Sequence, residues 1–275
     1  MPLGLLADRL DRNGLLAASG CALAAAAYLL PGPEAMAVTA GVGNALFHLG
    51  GGMDALNAGG RRAAALGVFV SPGAAGLFLG GALGKSAAPP LWLGPLGLLA
   101  LGAAIAALRR GPSGNPPPAL SGKGRGLAAL FLVVVLRSYM GMNQAFPWSA
   151  PLLLILALAL GKAAGGFAMD RLGPRRASAW SLGGAAALYL ASALPLPGLA
   201  AVFLFNMTMP VTLWAAARVL PGGFAFGLMT FGLFLGFLPS WLGWPCPLAG
   251  TWSYALLCLV SLGLLRAGLK GVEWC

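Results

Sequence analysis

The stretch GFAMDRLGPRRAS (166–178) places an Asp-Arg pair, a glycine and two further arginines in a short turn. Continuous apolar runs lie on either side of it, at 150–168 and 177–194. Each run is long enough to cross about 30 Å of hydrocarbon as a helix. Basic residues concentrated between two apolar spans are typical of cytoplasmic loops in membrane proteins. The stretch therefore predicts a cytoplasmic turn that joins two transmembrane helices.

The composition of the whole chain agrees with this interpretation. Only 8% of the 275 residues are charged, 59% are apolar, and the mean hydropathy is +0.85. Soluble globular domains usually carry about 25% charged residues, so that class is excluded. The runs are rich in Ala, Leu and Gly and about twice the length of a barrel strand, which indicates an all-α polytopic membrane protein. We predict ten transmembrane helices, at 14–30, 35–53, 63–83, 90–108, 127–146, 150–168, 177–194, 198–216, 223–241 and 249–267.

The 17 Lys and Arg residues predict the orientation of these helices. Fourteen lie in the two terminal segments and in alternate loops, whereas the opposite loops hold Lys85 alone. The remaining two, Arg137 and Lys162, lie within predicted helices. Because basic loops stay in the cytoplasm, we expect both termini to be cytoplasmic. The strong preference for Arg over Lys is typical of a GC-rich bacterial genome, which predicts the bacterial inner membrane. The net charge of +11 is spread over these loops, so it indicates no nucleic-acid partner.

The longest loop divides the chain. The segment RRGPSGNPPPALSGKGRG (109–126) is basic and rich in Pro and Gly, which is typical of a flexible linker. It separates a predicted four-helix bundle at 1–108 from a predicted six-helix bundle at 127–275.

The basic turn has a second copy near the N-terminus. GLLADR (4–9) matches GFAMDR (166–171), and each precedes a new helix on the predicted cytoplasmic side. The longer copy closely resembles the cytoplasmic loop signature of the major facilitator superfamily, G-x-x-x-D-R-x-G-x-R-R. In the first copy Asp11 stands where the signature has a glycine.

This resemblance implies a transporter fold with an incomplete N-terminal half. In the family the signature follows the second helix of each six-helix half, so the first four helices correspond to a half that lacks its first two. The stretches GVGNALFHLGGG (41–52) and 59–84 most resemble fosmidomycin-resistance-type exporters. Antiporters of the superfamily usually carry a Gly-Pro pair in the corresponding fifth helix. Here Gly80-Gly81 occupies that place, which argues against proton antiport.

The repeated turn has a physical role that its charges indicate. An Asp at a helix end can cap a neighbouring helix or form ion pairs that exist in only one state of a rocking transporter. The alternative is a basic turn that only orients the helices. We expect a conformational gating loop formed by Asp8, Arg9, Gly166, Asp170, Arg171, Gly173 and Arg175.

Ionisable side chains at membrane depth are costly, so they mark candidate functional sites. Arg137 lies near the middle of the fifth helix; its alternative role is structural, bonded to helix carbonyls. His48, the single histidine, is a candidate proton carrier or a packing residue. Lys162 lies within two turns of the cytoplasmic end, where its ammonium can snorkel to water. We predict a substrate-binding site formed by Arg137, Asn44, His48 and Asn206.

The sequence holds no mid-membrane carboxylate and no phosphate-loop, serine-hydrolase or metal-binding motif. We expect no enzymatic activity, cofactor or metal site. The predicted function is alternating-access transport of a small solute, with export of drug-like or anionic compounds as its specific form. The rival is a non-transporting scaffold or assembly protein on a degraded transporter fold, and a third alternative is lipid movement. Expected partners are the solute, the lipid bilayer, and a second copy or second chain that covers the gap of the missing helix pair.

Overall fold

The computed structural model describes residues 2–85, 92–109, 111, 113–115, 124–244, 250–270 and 272, and within them every regular element is helical. A 3₁₀ turn, Ala27–Leu29, extends the second helix. The α-helices are α1 (Pro2–Leu10), α2 (Asn13–Ala26), α3 (Pro33–Gly59), α4 (Ala64–Val70), α5 (Pro72–Lys85), α6 (Leu93–Leu108), α7 (Gly124–Asn143), α8 (Pro151–Leu172), α9 (Pro174–Leu190), α10 (Pro195–Asn206), α11 (Thr208–Ala217), α12 (Gly222–Trp241) and α13 (Thr251–Gly268).

These helices form eleven rods in the described part of the chain, because α4 continues into α5 and α10 into α11. The predicted count of ten helices is therefore wrong. Each predicted apolar run coincides with one rod, and the eleventh rod is α1, a nine-residue helix that contains Asp8 and Arg9. Because two charged residues lie within nine, this segment does not form an apolar run.

Six rods are long and apolar enough to cross a membrane by themselves. Two further apolar rods, Asn13–Leu29 and Leu93–Leu108, are shorter. The six are Ala64–Lys85, Arg125–Asn143, Pro151–Leu172, Pro195–Ala217, Gly222–Trp241 and Thr251–Gly268.

Proline sets several of the helix boundaries. It occupies the first helical turn of α3, α8, α9 and α10, where its missing N–H has no helical acceptor to lose. Pro72 follows Ser71 and begins α5 directly after α4. Two rods are interrupted, one at Ser71 between α4 and α5 and one at Met207 between α10 and α11.

We call α1 to α6 the first group and α7 to α13 the second group, on either side of the predicted linker, most of which lies outside the described residues. Within the first group α2 packs against α3, and within the second α12 packs against α7 and α13 against α9. The two groups meet where α4 and α5 contact α8 and where α1 and α3 contact α12. The buried core lies mainly in the second group, around Tyr189, Trp214 and Tyr254.

Both copies of the basic turn lie at one end of the bundle, which we call the basic end. Asp170 contacts the residues that begin α4, and Asp8 contacts those that begin α12. Arg218, at the end of α11, donates a hydrogen bond to the carbonyl of Gly60, which joins the two regions. Burial and the neighbouring charge of Arg61 lower the pKa of Arg218.

Candidate functional site

Asp170 connects the second group to the first at the basic end. One carboxylate oxygen accepts the backbone N–H of Ala63 at 2.6 Å, and the other accepts that of Ala64 at 3.1 Å. The N–H groups at the start of a helix have no helical acceptor, and the helix dipole favours a negative charge there. Asp170, near the end of α8, therefore caps α4.

Asp8 makes the corresponding contact from the first group to the second. Its two carboxylate oxygens accept the backbone N–H groups of Gly223 and Phe224, each at 2.8 Å. These residues begin α12, so Asp8 caps a helix of the opposite group in the same manner. We call these two contacts the Asp170 interlock and the Asp8 interlock.

A glycine lies one turn before each aspartate. A Cβ atom on Gly166 would lie 2.5 Å from the carbonyl oxygen of Ala63, and one on Gly4 would lie 2.3 Å from that of Gly223. Real Cβ atoms do not approach so closely, so only glycine permits this helix contact. In each Gly-x-x-x-Asp unit, the glycine thus permits close contact with a helix of the opposite group, and the aspartate caps that helix.

The departure of the first copy from the signature also has a structural account. Gly173 ends α8 with a φ of +78°, and Asp11, at the matching position, has a φ of +45°. Aspartate tolerates the left-handed region better than most residues, because its short side chain can bond to nearby backbone. Here its carboxylate accepts the N–H groups of Gly114 and Asn115 at 3.3 and 2.9 Å.

The segment held by Asp11 also bonds to two asparagines. Asn13 and Asn57 each donate from their side-chain amides to the Oδ1 of Asn115 at 2.8 Å. The backbone N–H of Asn13 donates to the Oγ of Ser113 at 2.8 Å. The start of the predicted linker is therefore fastened to the first group at the basic end.

The arginines of the predicted gating loop do not form ion pairs across the groups. Arg175 donates to the carbonyl of Leu269 at 3.3 Å, within the second group. Arg9 and Arg171 are exposed and make no hydrogen bond or ion pair with the described residues. The two aspartate caps and the hydrogen bond from Arg218 to Gly60, and not ion pairs of these arginines, connect the groups at this end in the described residues.

Arg137 lies in the second group and is only 7% exposed. Its Nη1 donates to the Oγ1 of Thr212 at 3.2 Å, and its Nη2 donates to the Oγ1 of Thr208 at 2.8 Å. The Nε is buried and has no partner in the described chain. The two hydroxyls donate in turn to carbonyls of Met209 and Phe205, which leaves their lone pairs for the guanidinium.

Arg137 bonds to the rod that is broken at Met207. On the other side of this break, α8 approaches through glycines. Cβ atoms on Gly161 and Gly165 would lie 2.3 and 2.0 Å from the carbonyl oxygens of Phe203 and Met207. The break is therefore held between α7 and α8. Interrupted helices of this kind place polar backbone at the centre of many transporters.

Lys162 follows Gly161 on α8 and is half-buried. It lies within electrostatic range of both Arg137 and His48. The sequence predicted that the Lys162 ammonium reaches water, because the residue lies within two turns of the end of its own helix. In the structure α4 packs across this part of α8, since a Cβ on Gly67 would lie 2.8 Å from the Lys162 carbonyl oxygen.

His48 comes from α3 in the first group. Its ring lies 5.6 Å from that of Phe47 and 5.9 Å from that of Phe69. Its Nδ1 is buried, and the backbone of Asn44, one turn earlier on α3, is the hydrogen-bonding group that acts on the ring.

The two predicted asparagines have other positions. Asn206 is buried and donates to the carbonyl of Val202 at 2.8 Å, within its own helix. Asn44 is exposed, one turn before His48 on α3. The predicted substrate site of Arg137, Asn44, His48 and Asn206 therefore stays a prediction, with Arg137 bonded to Thr208 and Thr212 and Asn206 bonded within its own helix.

A cavity of about 420 Å³ lies at the basic end, and Arg137, Lys162 and His48 are not among the residues that line it. Met53, Asn57, Asn115, Trp214 and Arg218 are among the residues that line it.

The fold defined by these helices is that of the major facilitator superfamily transporters. The chain is similar to a crystal structure of the E. coli fucose:proton symporter FucP, with a TM-score of 0.61 and 16% identity, covering 97% of this chain and 86% of that one. It is also similar to a structure of FucP in the outward conformation, with a TM-score of 0.59 and 16% identity, covering 100% of this chain and 86% of that one. No protein-family pattern and no curated protein matches the sequence.

Proposed function

We propose that this protein transports a small anionic solute across the membrane by alternating access between its two helix groups. The observation that carries the proposal is Arg137, a buried guanidinium held by two threonine hydroxyls with its Nε unpaired. Even insertion-based scales assign a cost of about 2.5–3.5 kcal/mol to an arginine at a helix centre. A guanidinium also binds carboxylate or phosphonate oxygens in a bidentate manner, which selects an anion.

The interlocks supply the gate in this proposal. Asp8 and Asp170 both cap helices of the opposite group, and we propose that the basic end is closed while both caps are formed. Opening that end requires both caps to break, since each fastens a different pair of helices. With the basic end in the cytoplasm, as the distribution of arginines favours, this conformation closes the cytoplasmic side. Export of anionic, drug-like compounds is the specific form that we propose for the activity.

The first group offers a surface for a further partner. The α8 helix has 22 residues, whereas α1, which carries the matching Gly-x-x-x-Asp unit, has nine. The rod Ala64–Lys85 is only 22% buried, and Leu77 on it is 82% exposed. We propose that a second copy or a second chain covers this surface in the membrane. A scaffold without transport would have the same surface, but it would have no use for the unpaired charge of Arg137.

Ligand-induced stabilisation tests the proposed function. The protein, purified in detergent, is heated in the presence of phosphate, methylphosphonate or succinate, with choline as a cation control. An anion that binds only the folded state adds about 2.7 kcal/mol to the free energy of unfolding when its concentration is about 100 times its Kd. We expect at least one of the three anions to raise the melting temperature.

Two variants connect the stabilisation to the site. Arg137→Gln removes the proposed recognition group and should abolish the shift, and His48→Ala should reduce it. Arg266→Gln is the matched control, because Arg266 is exposed on the last turn of α13. A lack of stabilisation by all three anions, or an equal shift in Arg137→Gln, would return the scaffold alternative to first place.

A further inference from the structure

The cavity at the basic end is lined by residues of both helix groups and has no part in the proposed recognition at Arg137. Met53 and Leu56 on α3 line it from the first group, and Trp214 and Leu220 line it from the second. Its volume of about 420 Å³ lies in the range of about 300–1,000 Å³ that is usual for sites of small organic ligands. A molecule in this cavity would therefore contact both groups at once.

Arg218 is the charged residue among the described residues that line the cavity. Its Nη2 donates to the carbonyl oxygen of Gly60, and its Cζ lies 5.0 Å from the centre of the Trp214 ring. Because these two contacts hold the guanidinium in place, little side-chain entropy remains to be lost on binding. A guanidinium has five N–H donors, so the bond to Gly60 leaves donors for an anion.

No acidic residue is among the described residues that line the cavity. Asp11 accepts from the backbone N–H of Gly114, and Asp8 accepts from that of Gly223, so both carboxylates bond to backbone. Neither forms an ion pair with Arg218 in the part of the chain that the structure describes. The charge that this lining offers to a ligand is therefore positive.

Most of the other lining side chains are apolar. The two asparagines of the lining bond to each other, since Nδ2 of Asn57 donates to Oδ1 of Asn115 at 2.8 Å. Met53, Leu56 and Leu220 can only offer apolar contact. One cation beside apolar side chains suits a molecule with a single anionic group and a short apolar body, because that body leaves water when it binds.

We propose that this cavity is a second ligand site, which binds an amphiphilic anion through Arg218 and the apolar side chains around it. The site is separate from Arg137, which does not line the cavity. An anionic lipid and a free alkyl phosphate share the chemistry that the site selects. Because both helix groups line the cavity, the bound molecule holds them together at the basic end.

Thermal unfolding in detergent, with ethyl, butyl and hexyl phosphate as probes, tests the site. The series stops at six carbons because longer chains partition more strongly into micelles. We expect each added CH₂ to tighten binding by up to about fourfold, the factor that corresponds to about 0.8 kcal/mol. Hexyltrimethylammonium should not stabilise the protein. The series is measured in the native chain and in Arg137→Gln, where the proposed transport site cannot contribute, and the dependence on chain length should be the same in both.

Arg218→Gln tests the charge. It should abolish the stabilisation by hexyl phosphate, whereas Arg266→Gln, at an exposed position on the last turn of α13, should keep it.

Gly222→Leu tests the apolar part of the site without changing Arg218. A Cβ on Gly222 would lie 3.7 Å from the Cγ of Met53 and 3.8 Å from the Cδ1 of Leu56, which is ordinary van der Waals contact. A leucine there therefore fits and fills part of the cavity, so binding should no longer tighten with chain length. Gly76→Leu, where open space surrounds the glycine, is the matched control and should keep the dependence.

Alkylation of a cysteine locates the ligand independently of stability. In a chain without native cysteines, hexyl phosphate at about ten times its Kd should slow alkylation of Leu220→Cys about tenfold, because about a tenth of the protein remains unoccupied. In lipid nanodiscs, protection by phosphatidylglycerol but not by phosphatidylcholine assigns the site to a lipid. Protection only by added hexyl phosphate assigns it to a free amphiphile.

Three results would overturn the second site. These are protection by neither ligand, equal stabilisation by hexyltrimethylammonium, and stabilisation that Arg218→Gln and Gly222→Leu leave unchanged. None of them bears on the proposed transport, which depends on binding of phosphate, methylphosphonate or succinate at Arg137. Loss of the hexyl phosphate effect in Arg137→Gln alone would instead place this ligand at the transport site and also overturn the second site.

Discussion

Asp8 and Asp170 make the same pair of hydrogen bonds in opposite directions between the two helix groups. Asp170 in the second group caps α4 of the first, and Asp8 in the first group caps α12 of the second. The preceding glycines, Gly4 and Gly166, approach equivalent carbonyls. This reciprocity is what a pseudo-two-fold relation between the two groups predicts, and it places both copies of the loop at one end of the bundle.

Removing either interlock should open the basic end. Helix caps are worth about 1 kcal/mol, which corresponds to roughly a fivefold change in an equilibrium. In a chain without native cysteines, a single cysteine at Leu220 should therefore be alkylated about five times faster in Asp8→Ala or Asp170→Ala. The double variant should exceed both. Asp54→Ala is the control, because Asp54 pairs with Arg109 inside the first group; equal rates in all variants would contradict the gate.

The glycines of the interlocks should not tolerate a methyl group. Gly4→Ala and Gly166→Ala each place a Cβ within 2.5 Å of a backbone carbonyl oxygen, so the helices must separate. We expect melting temperatures several degrees below that of the native chain. Gly76→Ala is the matched control, since open space surrounds that position, and alanine there should be neutral or stabilising by up to about 1 kcal/mol. Comparable losses at all three positions would show that the interlock contacts have no special role.

Asp11 should be sensitive to both its backbone and its charge. Asp11→Asn keeps a side chain that tolerates a positive φ but loses the carboxylate that accepts from Gly114 and Asn115. Asp11→Ala loses both. Thermal unfolding should therefore rank the native chain above the asparagine variant and the asparagine variant above alanine, with about 1–2 kcal/mol between the extremes. An alanine variant as stable as the native chain would contradict the described docking of this segment.

Lysine should not replace Arg137. An ammonium retains the charge but cannot bond to Thr208 and Thr212 while presenting a planar fork to an anion. Titration of the stabilising anion should show an affinity at least about tenfold lower for Arg137→Lys, a loss of about 1.4 kcal/mol. Thr212→Val removes one hydroxyl and leaves Nη1 without its acceptor, so its affinity should fall in between. An affinity for Arg137→Lys equal to that of the native chain would exclude bidentate recognition.

Much of the helical arrangement follows from hydrophobicity alone, because lipid as solvent requires long apolar segments. The apolar runs indicated every rod except α1, whose Asp8 and Arg9 interrupt the apolar pattern. The interruptions at Ser71 and Met207 were not predicted, since neither residue breaks the hydropathy of its run. Proline marks both positions, because Pro72 follows Ser71 directly and Pro210 lies three residues after Met207. A proline lacks the N–H that would bond to the carbonyl four residues earlier, so the sequence did contain a local signal for each interruption.

The candidate site was only partly predictable for a related reason. Arg137 was identifiable because a charge at the middle of an apolar run has few explanations. Lys162 was not, because its depth depends on α4 packing over α8, which no pattern within α8 reveals. Asn206 is a polar residue on the rod that Arg137 contacts, but its side-chain amide donates to the carbonyl of Val202 in its own helix. The capping role of Asp170 was one of two possibilities in the sequence, and only the position of Ala63 and Ala64 distinguishes them.

The central claim is that anion binding at Arg137 drives movement of one helix group against the other. Spin labels on cysteines at Arg62 and Leu172, which flank the Asp170 interlock in the two groups, report this movement as a distance distribution in lipid nanodiscs. We expect one short distance without ligand, a second, longer population when the stabilising anion is added, and no second population in Arg137→Gln. A single distance that the anion leaves unchanged, with labelled protein that still binds the anion, would contradict alternating access.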